Sequence, residues 1–399
     1  GYAGIGNQYA MGAAGASIST GDLKFNVTSV DGGAILGTHS VVNITTKNVD
    51  ATLTANYGGG NSSGGVAQYG LLAGSTVISG ETLDTGEYST ITTMNLKLNQ
   101  TTTGGSTTPI LNNGIRAIQG ATSNATLPNG GRGTAGQVIV NGILDMTLTG
   151  NRSVGIYVSG NATNHGVATD RAPVFNALTP KVILNNDAKI IINKGTGFSF
   201  TTWDSHGIKL GKVRYAGEGP GILESHGNLV IDTTNALQGG GIKMMRNSIL
   251  DASDSNASTT IKTNGYALEI GGHDDAARNG FVLTYEQAAS NGATASFNNA
   301  IFTTNGTSAD PLITATGARK DLMFVDQGQV AVKLNFTGAN TNLTANANGY
   351  ILNVSGNYTA SNYAYYSNTY DSLGTPVQGQ NLFEGSSVTF NATDAGSMT

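Results

Sequence analysis

Apolar and polar residues alternate with period two along most of the chain, in groups of three short runs. In 329–356 the runs are VAVKLNF, TNLTANA and GYILNVSG, each ending on or shortly before a glycine. In the first, Val330, Val332, Leu334 and Phe336 alternate with Ala331, Lys333 and Asn335. In the third, Tyr350, Leu352 and Val354 alternate with Ile351, Asn353 and Ser355. Such alternation predicts strands with one buried face. Three short strands cannot bury that face alone, so the group stacks on copies of itself.

The copies are GQVIVNG, ILDMTLTG and SVGIYVSGN in 136–161; KVILNN, AKIIINKG and SHGIKLGK in 181–212; SILDAS, STTIKTN and GYALEIGG in 248–272; and ATASFNN, AIFTTNG and PLITATG in 293–317. Looser versions, HSVVNITT, DATLTANYGGG and YGLLAGS, lie in 39–75. The third strand recurs most clearly, as a Gly followed by an apolar alternation: GAILG at 33, GLLAG at 70, GIRAIQG at 114, GIYVSG at 155, GIKLG at 207, GYALEIG at 265 and GYILNVSG at 349. The pattern predicts an all-β chain, a single β-solenoid of about ten coils with three strands per coil, forming one elongated domain over 1–399. Residues 1–38 supply the first coils and the N-terminal cap region, with DLKFNVTS and GAILG as strands.

Long insertions follow the third strand after Gly120, Gly160, Gly211, Gly272 and Gly356. With equivalent strands in register they leave at one corner and line one edge, the usual place for a solenoid's binding face. They carry Arg132, Arg171, Arg214, Asp274, Asp275 and Arg278. The last, spanning 357–380, is crowded with tyrosines including Tyr363 and Tyr365, and reads either as a contact surface or as a lid. Within the third strand, the residue after the inward Ile is Arg116, Tyr157, Lys209 and Lys243. Stacked at ~4.8 Å per coil, these form either a polar-cationic strip for an extended ligand or an ordinary solvated strand face.

Composition narrows the function. Charged residues are 11% of the chain, against about 25% in typical soluble proteins, while the 57 glycines are about twice the ordinary share. The formal charge is −5 and the longest basic run is Arg319-Lys320, so no nucleic-acid partner is expected. No apolar run approaches ~18 residues, so no membrane insertion of this segment is expected. The chain has no cysteine, which excludes thiol catalysis and thiolate metal sites. It opens without a basic or apolar leader, as after removal of an export signal.

Catalysis by a parallel β-helix hydrolase needs two carboxylates ~5–9.5 Å apart. The candidates are Asp204 with His206 in WDSHGIK, and Asp274-Asp275 beside His273. Asp204 lacks a neighbouring carboxylate and the Asp pair falls in a loop, so the chain is not expected to be an enzyme. No EF-hand or nonapeptide calcium motif occurs, and the five histidines form no helical pair. No metal or cofactor is expected.

The cysteine-free, Gly/Asn/Thr-rich texture with GIYVSGN-like and NGYILNVSGN-like strands resembles the secreted passenger of a Gram-negative autotransporter, of the AIDA-type adhesin family. The resemblance covers nearly the whole chain and implies a right-handed, three-faced parallel β-helix with lateral loops, displayed on the bacterial outer membrane. It implies adhesion to host-cell glycans or extracellular-matrix proteins, virulence and biofilm formation. It also implies a C-terminal β-barrel in the parent protein, beyond the final DAGSMT. The expected function is binding of an extended ligand, a glycosaminoglycan-like polysaccharide or a matrix protein. Arg116, Lys209 and Lys243 would meet its acidic groups, and the loop residues would set specificity. The alternatives are self-association through Asn/Thr/Asp ladders and a polysaccharide hydrolase or lyase.

Overall fold

A computed structural model describes residues 5–7, 16–28, 32–37, 41–57, 67–74, 88–104, 111–119, 135–160, 179–196, 205–211, 220–237, 239–244, 248–271, 293–304, 312–319, 329–330, 333–345, 352–356, 383–384 and 388–392. Among these residues the structure is all β, with one 18-stranded and one 11-stranded sheet. Pairing is parallel except where Gln329–Val330 runs antiparallel to the end of Ile313–Arg319.

The larger sheet contains two columns of stacked strands. Column 1 includes Ala135–Val140, Lys181–Leu184, Ile222–Ser225, Ile249–Ala252, Thr294–Phe297 and Lys333–Phe336. Column 2 includes Leu144–Thr149, Ala188–Asn193, Leu229–Asn235, Ser258–Thr263, Asn299–Thr304 and Thr341–Ala345. The columns merge because Val42–Tyr57 and Tyr88–Gly104 run continuously through both. Column 3 is the smaller sheet, with Gly32–Gly37, Ala67–Ala73, Leu111–Ile118, Ser153–Ser159, Ser205–Leu210, Gly239–Met244 and Leu268–Gly271 in register. The result is a solenoid-like stack in which chain order runs column 1, 2, 3 and back to 1.

The period-two pattern explains the core. Val138, Val140, Val182 and Leu184 of column 1, and Leu144, Met146, Leu148, Ile190 and Ile192 of column 2, are fully buried. In column 3, Ile35, Leu71, Ile115, Ile156, Ile208, Ile242 and Leu268 stack at one ladder position and are likewise buried. Each such side chain contributes about 1.5–3 kcal/mol of burial. Toward the later strands Phe297, Phe302 and Phe336 fill the same space, with ring centroids 5.3–6.3 Å apart.

Five core-facing glycines of column 3 have a steric cause. Gly70, Gly114, Gly155, Gly207 and Gly241 face the core against Leu98, Met146, Ile190, Ile231 and Ile261 of column 2. Each also lies on the carbonyl oxygen of the next residue in its own ladder, ending at Ala267. A Cβ on Gly155 would sit 2.5 Å from both Gly207 O and Ile190 Cγ2. Conformational freedom matters at Gly74 (φ 94°) and Gly211 (φ 76°), which close two column-3 strands at the same ladder position.

The corner before column 2 carries a polar ladder. Asp22, Asn48, Asn95, Ile143, Asp187, Asn228, Ser258, Asn299 and Asn340 occupy one position. Asn48 Nδ2 donates to Asp22 Oδ1 at 2.8 Å and Asn95 Nδ2 to Asn48 Oδ1 at 2.7 Å. Farther on, Asn228 Nδ2 donates to Asp187 Oδ1 at 3.1 Å and Ser258 Oγ to Asn228 Oδ1 at 3.0 Å. Ile143 interrupts the series with a side chain 56% exposed; only its backbone N–H reaches Asn95 Oδ1, at 2.7 Å.

The structure corrects two details of the sequence reading. VAVKLNF is not one described strand: Gln329–Val330 and Lys333–Phe336 belong to different sheets, and 331–332 lie outside the described residues. The stretch 222–244, not grouped from sequence, supplies a strand to every column. The Gly/Ala-rich cap region falls largely outside the described residues.

Two substitutions test these contacts by thermal unfolding. Gly155→Ala is expected to cost about 1–3 kcal/mol through overpacking. Gly21→Ala, with nothing within 4 Å of the added methyl, should be neutral or slightly stabilising; equal effects would refute the steric account. Ile143→Asn should raise stability by about 0.5–1.5 kcal/mol by offering a side-chain amide to Asn95, and a lower melting temperature would show that the ladder gains nothing there.

Candidate interaction faces

Arg116, Tyr157, Lys209 and Lys243 do stack in register on the outer side of column 3, continuing from Leu36 and Leu72 and followed by Glu269, Thr314 and Asn353. They are not an open strip. The Arg116 guanidinium carbon lies 5.5 Å from the Tyr69 ring centroid and 5.0 Å from that of Tyr157, and Nη1 donates to Tyr69 Oη at 3.1 Å. Lys209 Nζ sits 5.5 Å from the Tyr157 ring, and Lys243 Nζ pairs with Glu269 Oε2 at 3.0 Å. Tyr157 is 7% exposed, while Leu36, Leu72 and Ile118 form a small second apolar cluster with Tyr69 packed against it. Alternation marks which side of a strand faces the core, but it does not reveal whether the other side is covered.

The cover shifts titrations. Burial raises the Tyr157 phenol, opposed chiefly by Arg116 and, less strongly, by the Ser159 hydroxyl. His206, 2% exposed, is pushed well below the ordinary imidazole value, first by burial and then by Lys209 and Lys243. Its Nδ1 lies 3.1 Å from Tyr266 Oη, an approach that the missing side chain of Gly240 permits.

Arg132, Arg171, Arg214, Asp274, Asp275, Arg278, Tyr363 and Tyr365 lie outside the described residues. Their intervals, 120–134, 161–178, 212–219, 272–292 and 357–382, each connect a column-3 strand to the next strand of column 1. Asp204 also lies outside the described residues. His226 Nδ1 and Asp254 Oδ2 are 3.9 Å apart and exposed. Among the described residues no three His, Asp or Glu side chains converge in a metal-binding group, and no helix is long and apolar enough to cross a membrane, which does not bear on strands.

An exposed feature lies elsewhere. On the outer side of column 2, Lys24, Asp50, Lys97, Asp145 and Lys189 occupy one ladder position, so charges alternate in sign from strand to strand. Four are exposed and Asp50 is half-buried; none takes part in a direct ion pair among the described residues. On one side the neighbouring outward rows are mostly short and neutral: Asn26, Thr52, Asn99, Thr147 and Ile191, then Thr28, Thr54, Thr101, Thr149 and Asn193; on the other side lies the corner ladder of Asp22, Asn48, Asn95, Ile143 and Asp187. Beyond Lys189 the charged position continues as Val230, Thr260 and Ile301. The signal was present in sequence as one charge between two inward residues, in LKF, VDA, LKL, LDM and AKI. Their separation along the chain hides the alternation until the strands are aligned.

Comparison of the chain with known protein families, curated proteins and solved structures finds no match.

The buried imidazole gives a pH prediction. Because the folded-state pKa of His206 is lowered, its contribution to stability is full above the unfolded value of about 6.5 and is lost as pH falls through that value toward the folded one. The melting temperature should fall between about pH 7 and pH 5, and less steeply for His206→Gln. Parallel curves for both proteins would remove His206 as a source of the acid dependence.

Proposed function

We propose that this chain is the adhesive rod of a bacterial cell-surface protein of the autotransporter passenger type. In this reading each passage through columns 1, 2 and 3 is one coil of a right-handed parallel β-helix. The strong right-handed preference of parallel crossovers supports the handedness. About ten coils at ~4.8 Å give a rod of roughly 50 Å. The rod attaches laterally to an extended partner, an acidic polysaccharide or a matrix protein, and has no catalytic role.

One observation carries the reading: the exposed, in-register flank of column 2, where mostly short polar side chains border a line of charges. Repetition along a rod favours many weak contacts rather than one deep pocket. Acidic groups of a ligand meet Lys24, Lys97 and Lys189 more readily than Arg116 or Lys243, whose charges already face partners within the fold.

The test is binding of the purified chain to an array of polysaccharides and matrix proteins at low and physiological salt, with recovered glycans checked for cleavage. Saturable, salt-weakened binding without cleavage is expected, reduced severalfold by combining Lys24→Gln, Lys97→Gln and Lys189→Gln. New glycan ends would replace the adhesin reading with an enzyme, and binding unchanged by the substitutions would move the contact face elsewhere.

A further inference from the structure

We infer that the alternating row Lys24, Asp50, Lys97, Asp145 and Lys189 is a binding site for a zwitterionic polysaccharide, a linear chain in which acidic sugars alternate with sugars carrying a free amino group. The inference rests on the reading of this flank as a lateral contact face and names the class of its ligand.

The charges set the requirement. Lysines recur every second strand, at ~9.6 Å, with an aspartate midway at ~4.8 Å. Four of the five residues are exposed and Asp50 is half-buried, so a ligand can reach them. With Asp22 and Asp187 of the adjoining corner ladder, the same flank carries four aspartates against three lysines. It is therefore not a cationic stripe, and a plain polyanion laid along it meets repulsion at every second strand. A ligand that gains at every strand brings an anion to each lysine and a cation to each aspartate.

Spacing narrows the chemistry. Nucleic acid places a phosphate every ~3.4 Å along each of its strands and so sets anions against Asp50 and Asp145. An extended peptide repeats its same-side residues at ~6.8 Å and loses phase after one step. A β-linked sugar residue advances an extended polysaccharide by nearly the spacing between strands, so one residue falls on each strand. The flexible lysine stems take up the small mismatch. Five strands then seat five sugar residues over about 19 Å. Acidic sugars lie at Lys24, Lys97 and Lys189, and amino sugars at Asp50 and Asp145.

The flanking rows fit a thin chain better than a flat partner. On one side stand Asp22, Ile143 and Asp187, and on the other Ile191 follows Asn26, Thr52, Asn99 and Thr147. These rows are uneven in size and charge, whereas a polysaccharide one residue wide follows the charged row between them. Asn26, Asn99, Thr52 and Thr147 offer amides and hydroxyls to the sugar hydroxyls. The charged row closes at Val230. Each contact is exposed and individually weak, so affinity comes from repetition along the polymer and falls with salt.

The experiment measures binding of the whole purified chain to three oligosaccharides of equal length, at low salt and below the pKa of the sugar amine. Hyaluronan alternates carboxylates with neutral N-acetyl groups. The same hyaluronan after removal of its acetyl groups alternates carboxylates with ammonium groups. Chitosan carries an ammonium on every residue. The de-acetylated hyaluronan should bind severalfold more tightly than either of the others. Combining Asp50→Asn and Asp145→Asn should weaken that binding severalfold without weakening hyaluronan. Combining Lys24→Gln, Lys97→Gln and Lys189→Gln should weaken both forms of hyaluronan. Thermal unfolding checks that the variants fold, and the comparison of the three probes on the wild type needs no variant. Hyaluronan or chitosan binding as tightly as the de-acetylated polymer, or an unchanged preference in the folded aspartate variant, would overturn the inference. Hyaluronan binding with no gain from free amines would remove the zwitterionic ligand while leaving acidic-polysaccharide adhesion standing. Absence of binding to these probes and to every polysaccharide and matrix protein of the array would remove both.

Discussion

The solenoid-like stack depends on the close seating of column-2 side chains on the glycine backbone of column 3. Core-facing glycines of column 3 rest on the carbonyl oxygens of their ladder neighbours, with Leu98, Met146, Ile190, Ile231 and Ile261 of column 2 against their Cα atoms. The interior is thus only one or two side chains deep, and close packing there leaves no room for an added methyl. The adjoining Ile, Leu and Val ladders supply the apolar burial. At Ala267 the series ends and a Cβ is accommodated, fully buried.

Register then does the rest. Once one inward residue is fixed, every outward residue aligns with its counterparts at ~4.8 Å, whatever the chain length between them. Three outward ladders result, with different environments. The corner ladder of Asp and Asn residues links neighbouring strands by side-chain amides. In the column-3 ladder Tyr157 is buried while Arg116, Lys209, Lys243 and Glu269 are half-buried, and the cations are met by tyrosine rings and one carboxylate. The column-2 ladder is exposed, and its alternating charges face solvent.

These differences bear on function. A half-buried cation held between aromatic rings gains from them and is poorly placed to exchange them for a passing polyanion. Exposed charges are individually worth little, yet as a repeated array they discriminate phase, because like-charge contact is penalised wherever the phase is wrong. A long, repetitive flank therefore suits lateral recognition with a defined phase.

The sequence by itself determined the all-β class and most of the inward ladders, because period-two alternation and the recurrent Gly-apolar motif are local signals. Even the alignment of Arg116, Tyr157, Lys209 and Lys243 was legible, since each follows the same GI pair. Only the tertiary structure decided that Tyr157 and His206 are buried although they lie on the outer side of their sheet, that Val42–Tyr57 and Tyr88–Gly104 each run through two columns, and that Val330 leaves the strand containing Leu334. Burial of an outward residue depends on what packs over it, and a corner depends on neighbouring ladders as much as on the residues that turn. The alternating charges of column 2 stand between these cases: every residue was visible in sequence, but their order in space arises only when strands far apart in the chain are brought into register.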